Sequence, residues 1–203
     1  MKTILKFAVI IIFAIFITAC SDDNQATASE PEAKSGTQLA LRSNGNGNGG
    51  SVIDQTYPQA QAEVLETFGA IAQSITAGAG LGYDGEFMDQ LISFHAYGDK
   101  FIEFNGGQSF DSAGNEHNER QLFGEDLEEG GVVQFAPIEG TLKVAVYYGN
   151  VANLTFISDF KLKLKAYPGQ IITVNNLITL LFVKTEGKWK MVHEHHSPIT
   201  PPV

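Results

Sequence analysis

The chain has 203 residues, and 23 acidic against 13 basic residues give it a formal net charge of −10. This charge disfavours nucleic acid and anionic lipid headgroups as partners, because both are anionic and the sequence has no basic stripe to meet them. The single cysteine, Cys20, excludes an internal disulfide.

The first 20 residues have the pattern of an export signal. Lys2 and Lys6 precede an apolar run over residues 7–17, and this run is shorter than the roughly 20 apolar residues that a spanning helix needs. Small residues then lead to Cys20, as in the box at which bacterial lipoproteins are cleaved and lipidated. We therefore predict a removable signal at 1–19 and a lipid on Cys20. The alternative is an ordinary signal peptide with a chance cysteine.

The residues after Cys20 bear on where the lipid would hold the protein. Several acyl chains anchor a protein firmly, since each buried CH₂ contributes about 0.8 kcal/mol of membrane affinity. Ser21 rather than aspartate follows the cysteine, which argues against retention in the inner membrane. The acidic pair at 22–23 resembles the surface-export signal of some Gram-negative lipoproteins. The expected location is the cell envelope, with the outer membrane favoured over the inner and surface exposure as a further expectation.

Residues 20–53 are predicted to be the lipidated cysteine and a flexible tether. They are rich in small and polar residues and end in an Asn/Gly repeat, so they cannot bury enough apolar surface to offset the entropy of ordering. A flexible coil of ~30 residues spans roughly 30 Å. A folded domain is predicted over 54–198, and 199–203 form a short tail.

Three helices are predicted in the first half of the domain. Pro58 suits a first helical turn, and apolar residues recur after it at helical spacing until the glycines at 78–80 end the helix. A second helix is predicted at 84–95, and a polar third at 116–128 with 130–131 as its stop. The side chains predicted to face the core are Val64, Leu65, Phe68, Ile71, Ala72 and Ile75 in the first helix and Phe87, Leu91 and Phe94 in the second.

The second half has the alternating pattern of strands, and a short strand is also predicted at 101–104. Residues 156–165 place apolar side chains on one face and lysines on the other, which indicates a sheet with one solvated face. Residues 171–183 are apolar on both faces and are predicted to lie centrally. Glu186-Gly187 forms a hairpin turn into the last strand, 188–197. Helices followed by long antiparallel strands indicate an α+β domain.

Two stretches resemble a known family. Thr179 to Ser197 reads as an apolar strand, an acidic-Gly turn and then Gly-basic-Trp-basic-aliphatic-Val-His-x-His. It is similar to the C-terminal hairpin of the SnoaL-like branch of the nuclear transport factor two-like superfamily. Phe94 to Phe101 resembles the family's second-helix exit, usually Tyr-Ala-x-Asp-Ala-x-Phe. The resemblance covers residues 57–198.

This resemblance implies a cone-shaped, curved antiparallel sheet that is wrapped by about three N-terminal helices around a deep, mostly apolar pocket. Many members dimerise through the sheet, so a homodimer is an expected partner state. Members include isomerases, dehydratases and hydrolases as well as proteins without catalysis. The fold alone therefore does not choose the function.

The last strand supplies most of the candidate site residues. Because side chains alternate along a strand, Trp189, Met191, His193 and His195 are predicted to share one face, which we place toward the pocket. By resemblance, residues at the exit of the second helix lie near the pocket's rim. The residues predicted to line the pocket are Tyr97, Asp99, Phe101, Trp189, Met191, His193 and His195.

Two functions remain open for this pocket. In the first it binds a small apolar or amphipathic ligand, and its histidines bond backbone or water. In the second, His193 or His195 acts as an acid or base of an isomerase, dehydratase or hydrolase, oriented by Asp99 or Tyr97. The two differ in whether ionisable groups converge in the pocket. A dimerisation module without a ligand is a third alternative.

No metal or other cofactor is predicted. Two histidines at i and i+2 on a strand bind a metal ion only with a further ligand. Glu194 and His196 are predicted to point to the other face of the strand, and His95 and His117 stand alone in the sequence.

Overall fold

The computed structural model describes residues 55–199, which belong to the unit Gly50–Val203. The predicted signal at 1–19, Cys20, the tether up to residue 53 and residues 200–203 of the tail lie outside the described residues. Within them, no helix has both the length and the apolar character needed to cross a membrane.

The described residues form three α-helices, one π-helix and eight strands. In chain order these are α1 (Pro58–Gly78), α2 (Glu86–Ser93), β1 (Ile102–Asn105), β2 (Gln108–Phe110), α3 (Ser112–Glu119), the π-helix (Arg120–Asp126), β3 (Leu127–Pro137), β4 (Lys143–Tyr147), β5 (Val151–Leu164), β6 (Ile172–Val174), β7 (Asn176–Thr185) and β8 (Lys188–Pro198). The helices lie mainly before the long strands, and this order confirms the predicted α+β class.

The strands form one sheet in the order β2-β1-β8-β7-β5-β3. The long strand β5 pairs with β4 and β7 along its first half and with β3 and β6 along its second half. Residues 171–183, which were predicted to lie centrally, contribute to two strands. The short strand β6 pairs with β5, and β7 lies between β5 and β8, a central position as expected. One pair, β1 with β8, is parallel, so the sheet is mixed rather than wholly antiparallel.

We call the sheet face that packs against the helices the inner face and the opposite one the outer face. Aromatic rings fill the middle of the inner face. The ring centroid of Phe68 in α1 lies 5.0 Å from that of Phe156 in β5, and the centroid of Phe135 in β3 lies 5.2 Å from that of Phe160 in β5. Phe123 of the π-helix closes the group at 6.2 Å from Phe160. The interior is thus packed with side chains at the centre of the sheet.

The first helix has the predicted bounds and differs from the prediction at one side chain, and the second helix differs in its bounds and its buried face. Of the side chains predicted to face the core in α1, Leu65 is instead exposed. Helix α2 spans only Glu86–Ser93, two residues shorter at each end than predicted. Phe87 is 38% exposed, and Met88 at 3% takes its place in the core beside Leu91, which is buried as predicted.

The third helix begins and ends earlier than predicted. The Asp111 side chain accepts a hydrogen bond from the Gly114 backbone N–H at 2.9 Å, and this N-cap starts α3 at Ser112. The helix then widens into the π-helix, and β3 begins at Leu127. Gly130-Gly131 therefore do not end a helix but lie in β3, where the pairing with β5 shifts register.

Arg120, at the junction of α3 and the π-helix, holds α3 against α2. Its guanidinium contacts the carboxylates of Glu116 and Asp89 at 3.0 Å each and donates to the Tyr83 carbonyl at 3.1 Å. The Arg120 side chain is 11% exposed, so these contacts are partly shielded from water. This arrangement positions the inward-facing residues of α3.

Trp189 is buried as predicted, at 4% exposure, and its indole N–H donates to Glu63 Oε2 of α1 at 3.0 Å. Truncating a large aromatic side chain in a core costs about 3–5 kcal/mol. We therefore expect Trp189→Ala to lower the free energy of unfolding by that amount in urea titrations. The exposed Tyr167 gives a control, since Tyr167→Ala should be nearly neutral. A Trp189→Ala variant as stable as the parent protein would contradict this placement of β8.

Candidate functional site

A β-bulge in β8 decides which side chains of the last strand face inward. Leu181 of β7 pairs with His193, and the next residue, Phe182, pairs with Met191. Val192 is therefore the extra residue of a bulge, and alternation along the strand restarts after it. Trp189 and Met191 face inward before the bulge, and Glu194 and His196 face inward after it.

Glu194 forms a buried ion pair with His95, which follows α2. His95 Nε2 lies 2.8 Å from Glu194 Oε1, and the side chains are 1% and 6% exposed. His95 Nδ1 lies 3.2 Å from the carbonyl oxygens of Leu91 and Ile92. Carbonyls only accept hydrogen bonds, so Nδ1 carries the hydrogen of this contact, and Nε2 is the ring atom that faces the carboxylate.

His196 is the second partner of Glu194, with Nε2 3.4 Å from Oε2. Burial alone would raise the pKa of Glu194, but the charge of His95 and the contacts of both histidines outweigh it and lower the pKa. Burial alone would likewise lower the pKa of His196, and the contact with Glu194 raises it instead. The contacts therefore favour an ionised carboxylate on Glu194 and a protonated ring on His196.

A second chain of hydrogen bonds runs beside this one. Tyr97 donates its hydroxyl hydrogen to Asn115 Oδ1 at 2.5 Å, and Asn115 Nδ2 donates to Glu103 Oε2 at 2.9 Å. Asn105 Nδ2 donates to the other oxygen of Glu103 at 3.0 Å. Burial, and then the charges of Glu119 and Glu194, raise the pKa of Tyr97, so its phenol stays a neutral donor.

Glu119, the last residue of α3, completes what we call the polar cluster. Burial, and then the carboxylates of Glu194 and Glu103, hold the pKa of Glu119 well above its ordinary value, which favours a protonated carboxyl. Its carboxyl forms no hydrogen bond with another described residue. The polar cluster consists of His95, Tyr97, Glu103, Asn115, Glu119, Glu194 and His196.

Aromatic packing seals the His95 end of the polar cluster. The Tyr97 ring stacks on His95 at 4.9 Å with the planes 14° apart, and Phe101 packs edge-on against Tyr97 at 5.0 Å. His95 and Glu194 are therefore within reach for proton transfer but closed off from a substrate.

The residues predicted to carry chemistry are divided between the two faces of the sheet. The prediction that His193 and His195 share a face with Trp189 and Met191 is wrong, because the bulge turns the two histidines to the outer face. His193 Nδ1 donates to the Ile102 carbonyl at 3.0 Å, and His195 Nε2 lies 2.6 Å from Ser197 Oγ. The outer-face ring of Phe104 packs edge-on against both histidines.

The other predicted partners do not meet these histidines. Tyr97 points into the polar cluster, and Asp99 is exposed beyond α2. The structure therefore does not bring His193 or His195 together with Asp99 or Tyr97, and the predicted catalytic group is not assembled. Among residues 55–199, no group of three His, Cys, Asp or Glu side chains is arranged to hold a metal ion.

Most members of the polar cluster were missed from the sequence. Glu194 and His196 were predicted to point outward, and His95 was treated as isolated because its partner lies far along the chain. No local signal marks Glu103 or Glu119. For Asn115, the Asp111 cap starts a helix that carries it inward at i+4, and this cap was readable in the sequence.

Two recesses on the surface of the described residues are relevant to the site. A recess of about 420 Å³ is lined by Phe101, Ile102, Ser109, Phe110, Asp111 and Gly114, and it adjoins the polar cluster through Phe101. A groove of about 490 Å³ runs between α1, α2 and the β7–β8 hairpin, with Trp189 in its wall.

Comparison with known proteins supports the fold. A family model described as SnoaL-like domain matches residues 83–201, more than half of the chain. A nuclear transport factor two-like superfamily protein of Salmonella enterica serovar Typhimurium is 15% identical, with a TM-score of 0.59 over 72% of this chain and 95% of that one. No curated protein matches the chain in sequence.

Two further structures show the same fold with different names. A protein of the same family from Streptomyces avermitilis is 15% identical, with a TM-score of 0.54 over 72% of this chain and 100% of that one. The association domain of the C. elegans kinase CaMKII is 10% identical, with a TM-score of 0.51 over 69% of this chain and 96% of that one.

The ion pair gives a prediction for stability and its pH dependence. Removing one partner of a buried pair costs about 3–5 kcal/mol, and we expect this loss for Glu194→Gln at neutral pH. The lowered pKa of Glu194 means that its carboxylate stabilises the fold above the ordinary value of 4.5. That contribution is lost as the pH falls through the folded-state pKa.

The stability difference between the parent protein and Glu194→Gln should therefore shrink in acid. Urea titrations from neutral to acidic pH measure it, with the exposed Glu129→Gln as a matched control that changes little. A difference that stays constant across this range would show that the charge of Glu194 is not what stabilises the fold.

Proposed function

The chain belongs to the SnoaL-like domain family, and we propose that its domain binds a small amphipathic molecule. We also propose that the protein is an exported lipoprotein. The positive start, the short apolar run and a sole cysteine at its end support the lipid anchor. Ser21 after the cysteine favours the outer membrane over the inner, and the acidic residues that follow favour the cell surface.

One observation carries the ligand proposal: the polar cluster adjoins a recess that is lined by apolar and polar residues. Phe101, Ile102 and Phe110 line about 420 Å³, a volume within the usual range of small-molecule sites. Phe101 packs against Tyr97 of the polar cluster. An apolar tail in the recess would place a polar head near a group that contains three carboxyls.

The head-group preference tests this arrangement. Octanol, octylamine and octanoate share one tail, and isothermal titration compares their affinities for the purified chain. We expect octanoate to bind at least about fivefold more weakly than octanol, because Asp111 lines the recess and no basic residue does. Equal binding of all three, or no saturable binding, would contradict the proposal.

A substitution in the recess separates specific binding from uptake elsewhere. Ser109 is exposed and lines the recess, whereas its neighbour Gln108 is exposed and does not. Ser109→Trp should fill the recess and weaken octanol binding at least tenfold, on the order of 1.4 kcal/mol. Gln108→Trp, the matched control, should bind as the parent does, and equal affinities of the two variants would move the site elsewhere.

The anchor has its own test. Cys20→Ser should abolish incorporation of radiolabelled palmitate and release the protein from membranes, because no other cysteine is present. Ser21→Asp should keep the palmitate label and move the protein toward the inner membrane of a Gram-negative host. Equal palmitate incorporation by Cys20→Ser and the parent chain would refute the anchor.

A second candidate function is association through the outer face of the sheet. Phe104 and Leu177 are 44% and 52% exposed on this face, and Leu181 lies on the same face opposite His193. No acidic residue lies among these central positions. Exposed apolar patches of this kind mark contact surfaces, and one similar structure is an association domain.

This candidate predicts a dimer that a single charge disrupts. Phe104→Asp would bury an unpaired carboxylate in the interface, so the dissociation constant should rise at least about tenfold in sedimentation equilibrium. Ile171→Asp places the same charge at an exposed position outside the strands and should leave the dimer intact. A parent protein that sediments as a monomer at every concentration would exclude association through this face.

A further inference from the structure

The groove beside the β7–β8 hairpin is separate from the recess and from the polar cluster. It holds about 490 Å³ between three walls, which are α1, α2 and the start of β8. Phe94 at the end of α2 and Trp189 of β8 supply its aromatic surface. Four charged side chains also line it: Glu63, Glu66, Lys188 and Lys190.

Two of these four charges already have partners that hold the walls in place. Glu63 Oε2 accepts hydrogen bonds from Lys184 Nζ at 2.5 Å and from the Trp189 indole at 3.0 Å. The contact with Lys184, and then that with Trp189, lower the pKa of Glu63. Lys190 Nζ donates to the Ser93 carbonyl and ties β8 to α2. The groove is thus fixed on three sides before any ligand enters.

The other two charges, Glu66 and Lys188, have no partner among residues 55–199. Both are exposed, and they belong to different walls, Glu66 to α1 and Lys188 to β8. One groove therefore offers a free carboxylate and a free ammonium with aromatic surface beside them. A polyanion such as a nucleotide would meet the glutamates, and a purely apolar ligand would leave both charges without a partner.

We propose that this groove binds a small zwitterion of the amino-acid or short-peptide class. The ligand's ammonium pairs with Glu66, its carboxylate pairs with Lys188, and an apolar side chain lies against Phe94 and Trp189. The groove shares none of its lining residues with the recess. This site and the amphiphile site can therefore fail independently.

Trp189 provides the readout, because it is the only tryptophan in the chain and lies in the groove wall. The detergent-solubilised full chain is titrated with glycyl-leucine, with N-acetyl-glycyl-leucine, which lacks the ammonium, and with glycyl-leucine amide, which lacks the carboxylate. We expect a saturable fluorescence change with glycyl-leucine and about three- to fivefold weaker binding of each blocked form, the usual range for exposed charge pairs.

Two substitutions assign each charge to its partner. Glu66→Gln should remove the disadvantage of the acetylated form and leave that of the amide, and Lys188→Gln should do the reverse. Glu86→Gln and Lys143→Gln alter exposed charges outside the groove and should change neither. The proposal is overturned if glycyl-leucine gives no saturable change up to its solubility limit, or if both blocked forms bind as tightly as the free dipeptide.

Discussion

Two buried glutamates lie side by side in the parallel pair of strands, and the inner face is arranged around the need to neutralise them. The register of β1 and β8 pairs Glu103 with Glu194, and both are almost completely buried. Like charges directly opposite one another destabilise a sheet, and low dielectric strengthens the repulsion. Each carboxyl has its own partners: histidines for Glu194 and asparagine amides for Glu103.

These partners join segments that are far apart in the chain. His95 comes from the exit of α2, whose backbone also pairs with β8: the Ala96 N–H donates to the Met191 carbonyl at 2.7 Å. Asn115 comes from α3, which Arg120 holds against α2. The bulge at Val192 makes the arrangement necessary, because without it the Glu194 carboxylate would lie on the outer face, where water would solvate it.

The sequence predicted the parts of the fold that depend on local chemistry. Helix α1 follows from its apolar spacing and from Pro58, and the hairpin follows from Glu186-Gly187, which both adopt positive φ. The burial of Trp189 follows from the alternation just after that turn. The bulge is different, because it depends on the pairing of β8 with β7 and involves Val192, an ordinary strand residue.

Because the bulge at Val192 was not predicted, the later residues of β8 were assigned to the wrong faces of the sheet. His193 and His195 were predicted to face inward and lie on the outer face, while Glu194 and His196 do the opposite. The segment offers no apolar contrast that could have corrected this, since all four side chains are polar. The inward position of His95 was hidden for a related reason: a histidine and a glutamate 99 positions apart are matched only by the folded chain.

The charged groups of the polar cluster that stabilise the fold would also decide which ligand head groups bind beside them. His95 and Glu194 are closed off by Tyr97 and by the surrounding core, so their ion pair acts as a fixed part of the framework. Glu119 and His196 are less deeply buried than this pair. Because a protonated Glu119 has no hydrogen-bond partner among the described residues, a hydroxyl head would supply one, whereas an anionic head would add a negative charge near the carboxyls of Glu103 and Glu194. Selectivity at the polar cluster would then follow from the balance of charge that stabilises the fold.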